Sequence, residues 1–475
     1  MLRPLPTIFN SIFVVMLFIR HTNILPILTA FFIMLIIPIV NAEIWTYPVP
    51  DKKFTSSQYA VRVIQAETIH DSFVYQHENQ DNNLKPRMSD YNHWTSFSFS
   101  GSITVEVEAT KYDLDKASLR PSSRNIKINK LGKNKISFSL DRPEKLWLKV
   151  PGAEEDPLFI FADAPEKNIP DRKDENVIWF DAGKVHDIGE RFEIKSNTTV
   201  YIPGGAYVRG TITANNSSNI RIAGRGILSG LGYARRPSYK GIPYNSVMFN
   251  GDGKNQLVEG ITITNPQHFC ILSRGEITTR NVKLFGWWHQ TDGWGGGDNS
   301  IVEDSFFKVN DDIVKFYGAN QVARNLVIYQ QVNGAVLQLG WSGANAKNVL
   351  MENVDIIRVE NKLRGNSENN TAVLNLRSQR KSDTVVGGVT LRNVRIEDDV
   401  THLVGLGEVY GEVKNIQLEN VDILGKLLYQ NSNYVRTFKN GKVKNIRFKN
   451  VRANGEAIEA NKKSPYWSTS GNVNF

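Results

Sequence analysis

The chain has 475 residues, of which 41% are hydrophobic and 22% are charged. This is the composition of a globular protein, and it excludes a chain that is disordered throughout. The length exceeds that of an ordinary single domain, although a repetitive β fold can run long as one unit. The formal net charge of +9 is spread along the chain without a basic tract. This argues against a nucleic-acid partner and suits either an acidic polymer or general solubility.

The N-terminal residues 1–42 have the pattern of a signal peptide. Two apolar runs, Ile8–Ile19 and Ile24–Val40, are followed by the small-residue ending Val-Asn-Ala. We expect cleavage after Ala42, a secreted or periplasmic protein, and no stable membrane insertion after cleavage. The alternative is that the second run remains as a membrane anchor, because its length is near the lower limit for spanning a bilayer.

The cysteine count and the motifs restrict the cofactors. Cys270 is the only cysteine, so an internal disulfide is ruled out. The sequence has no P-loop and no His/Cys cluster with zinc spacing. We therefore expect no cofactor and no metal. The oligomeric state is not indicated by any pattern in the sequence.

Residues 43–175 predict an N-terminal β-sandwich that ends in a linker. Short alternating segments are separated by turn residues, without helical periodicity. The predicted strands fall within Tyr59–Gln65, Trp94–Val107, Ile126–Leu140 and Leu158–Ala162, and Pro165–Glu175 forms the linker. No catalytic constellation occurs in this part, so its expected role is to pack against the following domain.

Residues 176–475 predict a right-handed parallel β-helix. Strand-like segments recur with an Asn near each turn, and four of them share a phrase: KNVLMENVDI, GGVTLRNVRI, KNIQLENVDI and KNIRFKNVRA. Each coil of such a solenoid buries its inner face only by stacking on its neighbours. Asn residues at matching turns are expected to form a side-chain ladder. The predicted fold class is therefore all-β, with a sandwich followed by a solenoid.

Three aspartates in the solenoid suggest a site for sugar cleavage. Asp292 stands in a Thr-Asp-Gly turn, and Asp311 and Asp312 are adjacent about one coil later. Glycoside hydrolysis needs one carboxyl group that is protonated and another that is ionised. Two neighbouring carboxylates cannot both ionise freely, so one pKa rises. An Asp-Asp pair alone is more often a solvated loop or a cation site, but here it is flanked by β-prone segments that would hold it rigidly.

Several other side chains are candidates for contact with a substrate, and they are Lys315, Trp288, Trp294, Gln338, Trp341, His289 and Arg377. Lys315 has the side-chain parity of Asp311, so it could neutralise the acids, hold a hydroxyl, or be a plain surface lysine. Indoles offer flat faces on which a sugar ring can stack. Because Trp287 and Trp288 are adjacent, at least one of them is expected to pack inside.

The remaining candidates have alternative interpretations. Gln338 and Trp341 fall one coil after the aspartate pair, and Trp341 could instead be a stacked aromatic of the solenoid. His289 is expected to form hydrogen bonds or to pack, and not to act as the catalytic base. Arg377 would matter if the substrate carried sulfate or carboxylate groups.

The run TDG…VNDDIVKFY…LQLGW, the segment VYIPGGAYVRG and the preceding sandwich resemble glycoside hydrolase family 49, the dextranases and isopullulanases. This resemblance implies that Asp311 is the general acid and that Asp292 and Asp312 activate water. It also implies inversion at the anomeric carbon, with the carboxyl groups roughly 6.5–9.5 Å apart. The Gly-His-Gly segment of the related pectin-cleaving family 28 is missing, which weighs against a polygalacturonase.

The expected substrate is a polysaccharide, with an α-glucan such as dextran or pullulan as first choice. A sulfated or acidic galactan or a pectin-like polymer stays open, because the chain is basic and Arg377 and Arg380 lie late in it. WGGGDN follows TDG where the family has a proline-containing stretch, and this difference alters the loops of the subsites. A polysaccharide lyase is a second class, in which the three aspartates would hold calcium and Lys315 would be the base. A non-catalytic glycan-binding protein is a third.

Overall fold

The computed structural model describes residues 43–79, 90–233, 245–364, 371–377 and 383–475. The predicted signal peptide, residues 1–42, lies outside the described residues. Within the described ranges the regular elements are strands and four short 3-10 helices, at Lys52–Phe54, Ser122–Arg124, Trp341–Gly343 and Asn361–Arg364. No helix in these ranges has the length and apolar character needed to cross a bilayer.

The N-terminal part is a sandwich of a six-stranded and a five-stranded sheet. The six-stranded sheet contains Glu43–Trp45, Val74–Glu78, Tyr91–Ser100, Ser118–Arg120, Glu144–Lys149 and Leu158–Asp163. The five-stranded sheet contains Tyr59–Gln65, Thr68–Ser72, Ile103–Ala109, Asn129–Gly132 and Lys135–Leu140. In Ile103–Ala109 every second residue is buried, as expected for a strand with one face on a core.

The remaining chain forms a 28-stranded, almost entirely parallel sheet that winds into a β-helix with three faces. The early strands of the first face are Val177–Trp179, Thr199–Ile202, Ile220–Gly224, Gln256–Glu259, Ile277–Arg280 and Ile301–Glu303. The early strands of the second face are Lys184–Ile194, Ala206–Asn215, Ile227–Ser229, Thr262–Thr264, Lys283–Phe285 and Phe306–Lys308.

Later coils merge these two faces into long bent strands, which are Val322–Gln330, Ala346–Val359, Val385–Ile396, Glu412–Ile423 and Lys442–Ala453, with Asn472–Asn474 closing the first face. The third face contains Val247–Asn250, Ile271–Ser273, Trp294–Gly296, Val314–Phe316, Leu337–Leu339, Leu374–Leu376, Val404–Val409, Asn433–Thr437 and Trp467–Ser470. Glu456–Ala457 pairs antiparallel with the last long strand. The predicted fold class, a sandwich followed by a parallel β-helix, is confirmed.

Asparagines at the turns form the predicted ladder. Asn325, Asn353, Asn393, Asn420 and Asn450 all adopt left-handed φ angles of 53–55°. The last four each donate from the side-chain amide to the asparagine amide oxygen of the preceding coil, at 3.0–3.3 Å, and Asn325 donates to the carboxylate of Asp304 at 2.9 Å. Asn tolerates this backbone region better than other non-glycine residues, so each coil can make the same tight bend.

A ladder of alternating charge runs beside the asparagines. The register places one charged residue of each coil over the next, in the order Glu259, Arg280, Glu303, Arg324, Glu352, Arg392, Glu419 and Lys449. Each acid of this series forms an ion pair of 2.5–2.7 Å with the basic residue that follows it. Opposite charges on neighbouring strands stabilise the sheet, whereas like charges would destabilise it.

The sandwich packs on the second face of the β-helix through aromatic side chains. Trp94, Phe159 and Phe161 of the sandwich contact Phe285 and Phe306 of the β-helix, with ring centroids 5.0–6.0 Å apart. A buried ion pair of 2.5 Å between Lys283 and Asp163 crosses the same seam. All of these contacts are made by second-face strands. The predicted site lies on another face, the third.

Candidate active site

The three aspartates lie in the turns that lead into two neighbouring strands of the third face. Asp292 precedes Trp294–Gly296, and Asp311 and Asp312 precede Val314–Phe316. The turns are stacked by backbone hydrogen bonds, since the Gly293 amide donates to the Asp312 carbonyl at 2.8 Å. Parallel strands lie about 4.8 Å apart, so this stacking brings the side chains of both turns together.

The side chains of Asp292, Asp311 and Asp312 form one compact cluster. One carboxylate oxygen of each lies within 4.8 Å of those of the other two. Relative exposures are 2% for Asp292, 8% for Asp311 and 1% for Asp312. Asp311 is thus the member of the cluster that is most open to solvent and to a bound molecule.

Lys315 contacts two of the three carboxylates. Its Nζ lies 2.6 Å from Asp292 Oδ1 and 3.0 Å from Asp312 Oδ2. Within the described residues, no cation lies within ion-pair distance of Asp311. Lys315 is on the strand that follows the aspartate pair and points outward, because its neighbours Val314 and Phe316 belong to the core.

Backbone amides fix the two adjacent aspartates. The Ala335 amide of the next coil donates to Asp312 Oδ1 at 2.9 Å. The Asp312 amide donates to Asp311 Oδ1 at 3.0 Å, and the Gln290 amide also donates to the Asp311 carboxylate. Each carboxylate is therefore held in one orientation by groups that do not move with solvent.

Burial and like charges perturb the ionisation of the cluster. Burial, reinforced by the Asp312 carboxylate, raises the pKa of Asp311 to about 7, although Lys315 opposes this rise. Burial also raises the pKa of Asp292 well above its ordinary value, against the opposing effect of Lys315. Burial of Lys315 acts to lower its pKa, but Asp292 and Asp312 raise it well above the ordinary value. Burial and the neighbouring carboxylates therefore favour the protonated forms of both Asp292 and Asp311, and Lys315 opposes them.

Aromatic side chains flank the cluster. The Lys315 Nζ lies 5.0 Å from the ring centre of Phe269 and 5.3 Å from that of Trp341. Trp341 is partly exposed, as are Trp288 and His289 in the turn before Asp292. Lys315, Trp288 and His289 therefore lie on the turns or strands of the acids, and Trp341 follows the next strand, Leu337–Leu339, with its ring beside Lys315.

The carboxylates of the cluster approach one another closely. One oxygen of each lies within 4.8 Å of those of the other two, and this distance between selected oxygens is a lower limit on the separation of the carboxyl groups, which is roughly 6.5–9.5 Å in an inverting pair. Lys315 contacts both Asp292 and Asp312, and its charge lowers the repulsion between these two carboxylates. The same three oxygens have the geometry to hold a cation, but the Lys315 ammonium already contacts two of these side chains.

Comparison with known proteins gives relatives for most of the chain. It is 24% identical to the isopullulanase of Aspergillus niger over 445 residues, which cover 78% of each protein. It is 27% identical to the dextranase of Arthrobacter sp. strain CB-8 over 259 residues, which cover 47% of the chain and 40% of that dextranase. The chain is related to isopullulanase and the dextranases. The predicted resemblance is thereby confirmed, although no protein-family model matches the chain.

A solved structure supports the fold of the chain. Dex49A from Penicillium minioluteum superposes with a TM-score of 0.73 at 19% identity, covering 90% of the chain and 96% of Dex49A. At this identity the likeness establishes the fold. Because 90% of the chain is covered, the match includes residues of both the sandwich and the β-helix.

The structure buries two of the predicted substrate contacts, Trp294 and Gln338. Trp294 is fully buried in the solenoid core, and its indole nitrogen donates to Thr279 Oγ1 at 3.0 Å. It pairs in register with the inward-facing Val314, so parity turns the indole away from the site. Gln338 does lie beside Lys315 in register, but it is fully buried and both ends of its amide are bonded within the sheet.

Arg377 lies away from the acids. It follows Leu374–Leu376, which is two strands beyond Lys315 on the third face. Its Nε is 3.6 Å from the Glu408 carboxylate. Given the usual strand spacing, Arg377 lies about 10 Å from Lys315 along the solenoid axis, and its charge is paired with that of Glu408.

Sequence patterns did not single out three residues that the structure places at the cluster. Phe269 forms one of the two rings beside Lys315, and Tyr317 lies against Gly295, where an added Cβ would be 3.2 Å from the tyrosine ring. Asn310 is fully buried between the two acidic turns. Tyr317 has the same parity as Lys315, which is the one signal that could have identified it.

Proposed function

We propose that the protein is a secreted glycoside hydrolase that cleaves an α-glucan, with Asp311 as general acid and Asp292 and Asp312 as the pair that activates water. The hydrolase class is supported by the isopullulanase and dextranase relatives. The observation that carries the assignment of roles is that one lysine pairs with two of the three clustered carboxylates, while no cation among the described residues pairs with the third.

Asp311 suits the general acid for three reasons. It has the largest exposure of the three, so it can reach the leaving oxygen of a bound sugar. It has no cation partner among the described residues, and burial with the Asp312 charge raises its pKa to about 7. A pKa near neutrality keeps a proton available and still allows its transfer.

Asp292 and Asp312 suit the activation of water because a fixed positive charge contacts both. An ammonium group favours the ionised form of a carboxylate beside it. Burial raises the pKa of Asp292, but the Lys315 ammonium 2.6 Å away opposes that rise, and Asp311 has no such cation partner among the described residues. We therefore propose that Asp311 carries the proton that is given to the leaving group. The Ala335 amide further orients Asp312, so the pair can hold a water in one position.

The charges of the site favour a neutral polymer. Three carboxylates face one lysine, whose charge is already paired. Arg377, the residue predicted to hold sulfate or carboxylate groups, lies two strands from Lys315 and is paired with Glu408. Sulfated galactans and pectin-like polymers would bring a negative charge next to this cluster, and like charges repel. Pullulan and dextran, which the names of the relatives indicate as their substrates, carry no charge.

The lyase alternative is disfavoured by the state of Lys315. A lyase base must be neutral to accept a proton from the carbon beside a uronate. Asp292 and Asp312 raise the pKa of Lys315 well above its ordinary value, so it stays protonated. A protonated lysine cannot serve as the base.

The stereochemical course has two candidates. The resemblance to family 49 implies inversion, whereas retaining enzymes have carboxyl groups about 5–5.5 Å apart, and the closest carboxylate oxygens here lie within 4.8 Å. We propose inversion, because two carboxylates share one lysine and can hold a water together. Proton NMR of the first product anomer decides the point. The β-anomer from an α-linked glucan supports inversion, and the α-anomer contradicts it.

The experiment that tests the function compares the mature protein with its Asp311→Asn variant on dextran, pullulan, polygalacturonate and sulfated galactans. We expect reducing ends from dextran or pullulan, no ultraviolet-absorbing product, and a loss of about 10²–10⁴-fold in kcat for the variant. An unsaturated product would show a lyase. Binding of a glucan with no cleavage by the wild type would show a glycan-binding protein.

A further inference from the structure

Asn310 connects the three turns that build the cluster. Its side-chain Nδ2 donates to the Trp287 carbonyl of the preceding coil at 2.7 Å. Its Oδ1 accepts from the Asn333 amide of the following coil at 3.0 Å. Its backbone amide donates to Thr291 Oγ1 at 3.3 Å. One fully buried residue therefore bridges the coil of Asp292 and the coil that supports Asp312.

The contacts of Asn310 fall on the segments that orient the acids. The turn from Trp287 to Thr291 immediately precedes Asp292, and its Gln290 amide donates to Asp311. Thr291 Oγ1 closes this turn by donating to the Trp288 carbonyl at 2.6 Å. On the other side, Asn333 is two residues before Ala335.

The chemistry at this position requires an amide side chain of this length. One atom must donate and the other must accept, and Asn supplies both. Asp cannot donate to a carbonyl when ionised, and it would add a fourth carboxylate beside Asp311. Gln has the right groups but one more methylene, which a fully buried site does not accommodate without strain.

We propose that Asn310 is a positioning residue that sets the separation of Asp292 from the Asp311–Asp312 pair. The proposal rests on the proposed hydrolase function. Asn310 is fully buried and does not contact substrate, so it acts through the two turns that it joins. Supporting groups of this kind hold reacting groups within a fraction of an ångström, and a misplacement of about 1 Å can cost about 100-fold in rate.

The test uses Asn310→Ala with Asn433→Ala as the matched control. Asn433 is also fully buried on the third face and accepts from the Val404 amide of the neighbouring coil at 2.9 Å, but three strands separate it from the acids. We expect both variants to lower the melting temperature. Asn310→Ala should reduce kcat about 100-fold with KM changed less than about threefold, while Asn433→Ala keeps wild-type kcat.

Two further measurements keep the proposal falsifiable. If Asn310→Ala does not fold, the isosteric Thr291→Val removes one of the same contacts and should lower kcat in the same sense, by about tenfold. A crystal structure of the folded variant supplies a readout that does not depend on activity. The distance from Lys315 Nζ to Asp292 Oδ1, 2.6 Å in the wild type, is expected to lengthen.

The outcomes separate this proposal from the hydrolase function. Unchanged carboxylate positions, or equal losses of kcat in the Asn310 and Asn433 variants, overturn the positioning role. A wild-type protein that cleaves no glucan overturns the function, and the crystal structure then still decides whether Asn310 sets the carboxylate separation.

Discussion

Replacing Lys315 by Met should move the whole pH–rate profile to higher pH. The Lys315 Nζ lies 2.6 Å from Asp292 and 3.0 Å from Asp312. Unit charges about 4 Å apart interact by roughly 4 kcal/mol at an effective dielectric constant near 20, which corresponds to about three pKa units. Relaxation and proton uptake reduce this value, so we expect both limbs of the pH–rate profile to move by about 1–3 pH units.

The sign of the shift follows from the charge that is removed. Lys315 opposes the rise in the pKa of both Asp292 and Asp311. Without it, the carboxylate that activates water ionises at higher pH, so the acid limb rises. Asp311 also keeps its proton to higher pH, so the alkaline limb, expected near 7 in the wild type from the pKa of Asp311, rises as well. Activity at the wild-type optimum should fall about 10–1000-fold and recover partly at higher pH.

The assay is kcat/KM against pH on the glucan that the wild type cleaves, with Lys283→Met as the control. Lys283 is also a buried lysine paired with an aspartate, but it lies at the seam with the sandwich. This control should lose stability and keep the limbs of its profile. A Lys315→Met profile that keeps both limbs and is only scaled down would refute the electrostatic role of Lys315.

Three further predictions concern packing and charge. Trp294→Ala should lower the free energy of unfolding by about 3–5 kcal/mol in denaturant titrations, because it empties a core site; a loss below 1 kcal/mol would contradict the core placement. Trp341→Ala, at a partly exposed indole beside the acids, should raise KM with little change in melting temperature, and an unchanged KM would remove it from the site. Arg392→Glu places a third acid between Glu352 and Glu419 and should lower the melting temperature measured by calorimetry, with a smaller loss in high salt; an unchanged melting temperature at low salt would contradict the role of the charge ladder.

The sequence was sufficient to predict the fold because the repeated phrases and the turn asparagines recur in almost every late coil. The same repetition predicted that Asp292 and the aspartate pair would lie near one another, since they are separated by about one coil. Lys315 could be assigned to the same side as Asp311 from strand parity alone.

Residue-level contacts across coils could not be predicted, because they depend on register. The third-face strands that begin at Trp294, Val314, Leu337 and Leu374 are unevenly spaced along the chain. Only the observed register pairs Trp294 with Val314 and turns the indole inward. The bonds of the Gln338 amide likewise come from other residues in the sheet, so its burial was not visible in the local pattern.

The alternating charges along the first face give the solenoid a period of two coils. Glu352 and Glu419 carry the same charge in alternate coils, and Arg324 and Arg392 carry the opposite charge between them. Duplicating or deleting one coil would place two like charges in register, whereas a change of two coils would preserve every pairing. The solenoid should therefore accept growth or shortening in pairs of coils, which sets the step in which its length can change during evolution or design.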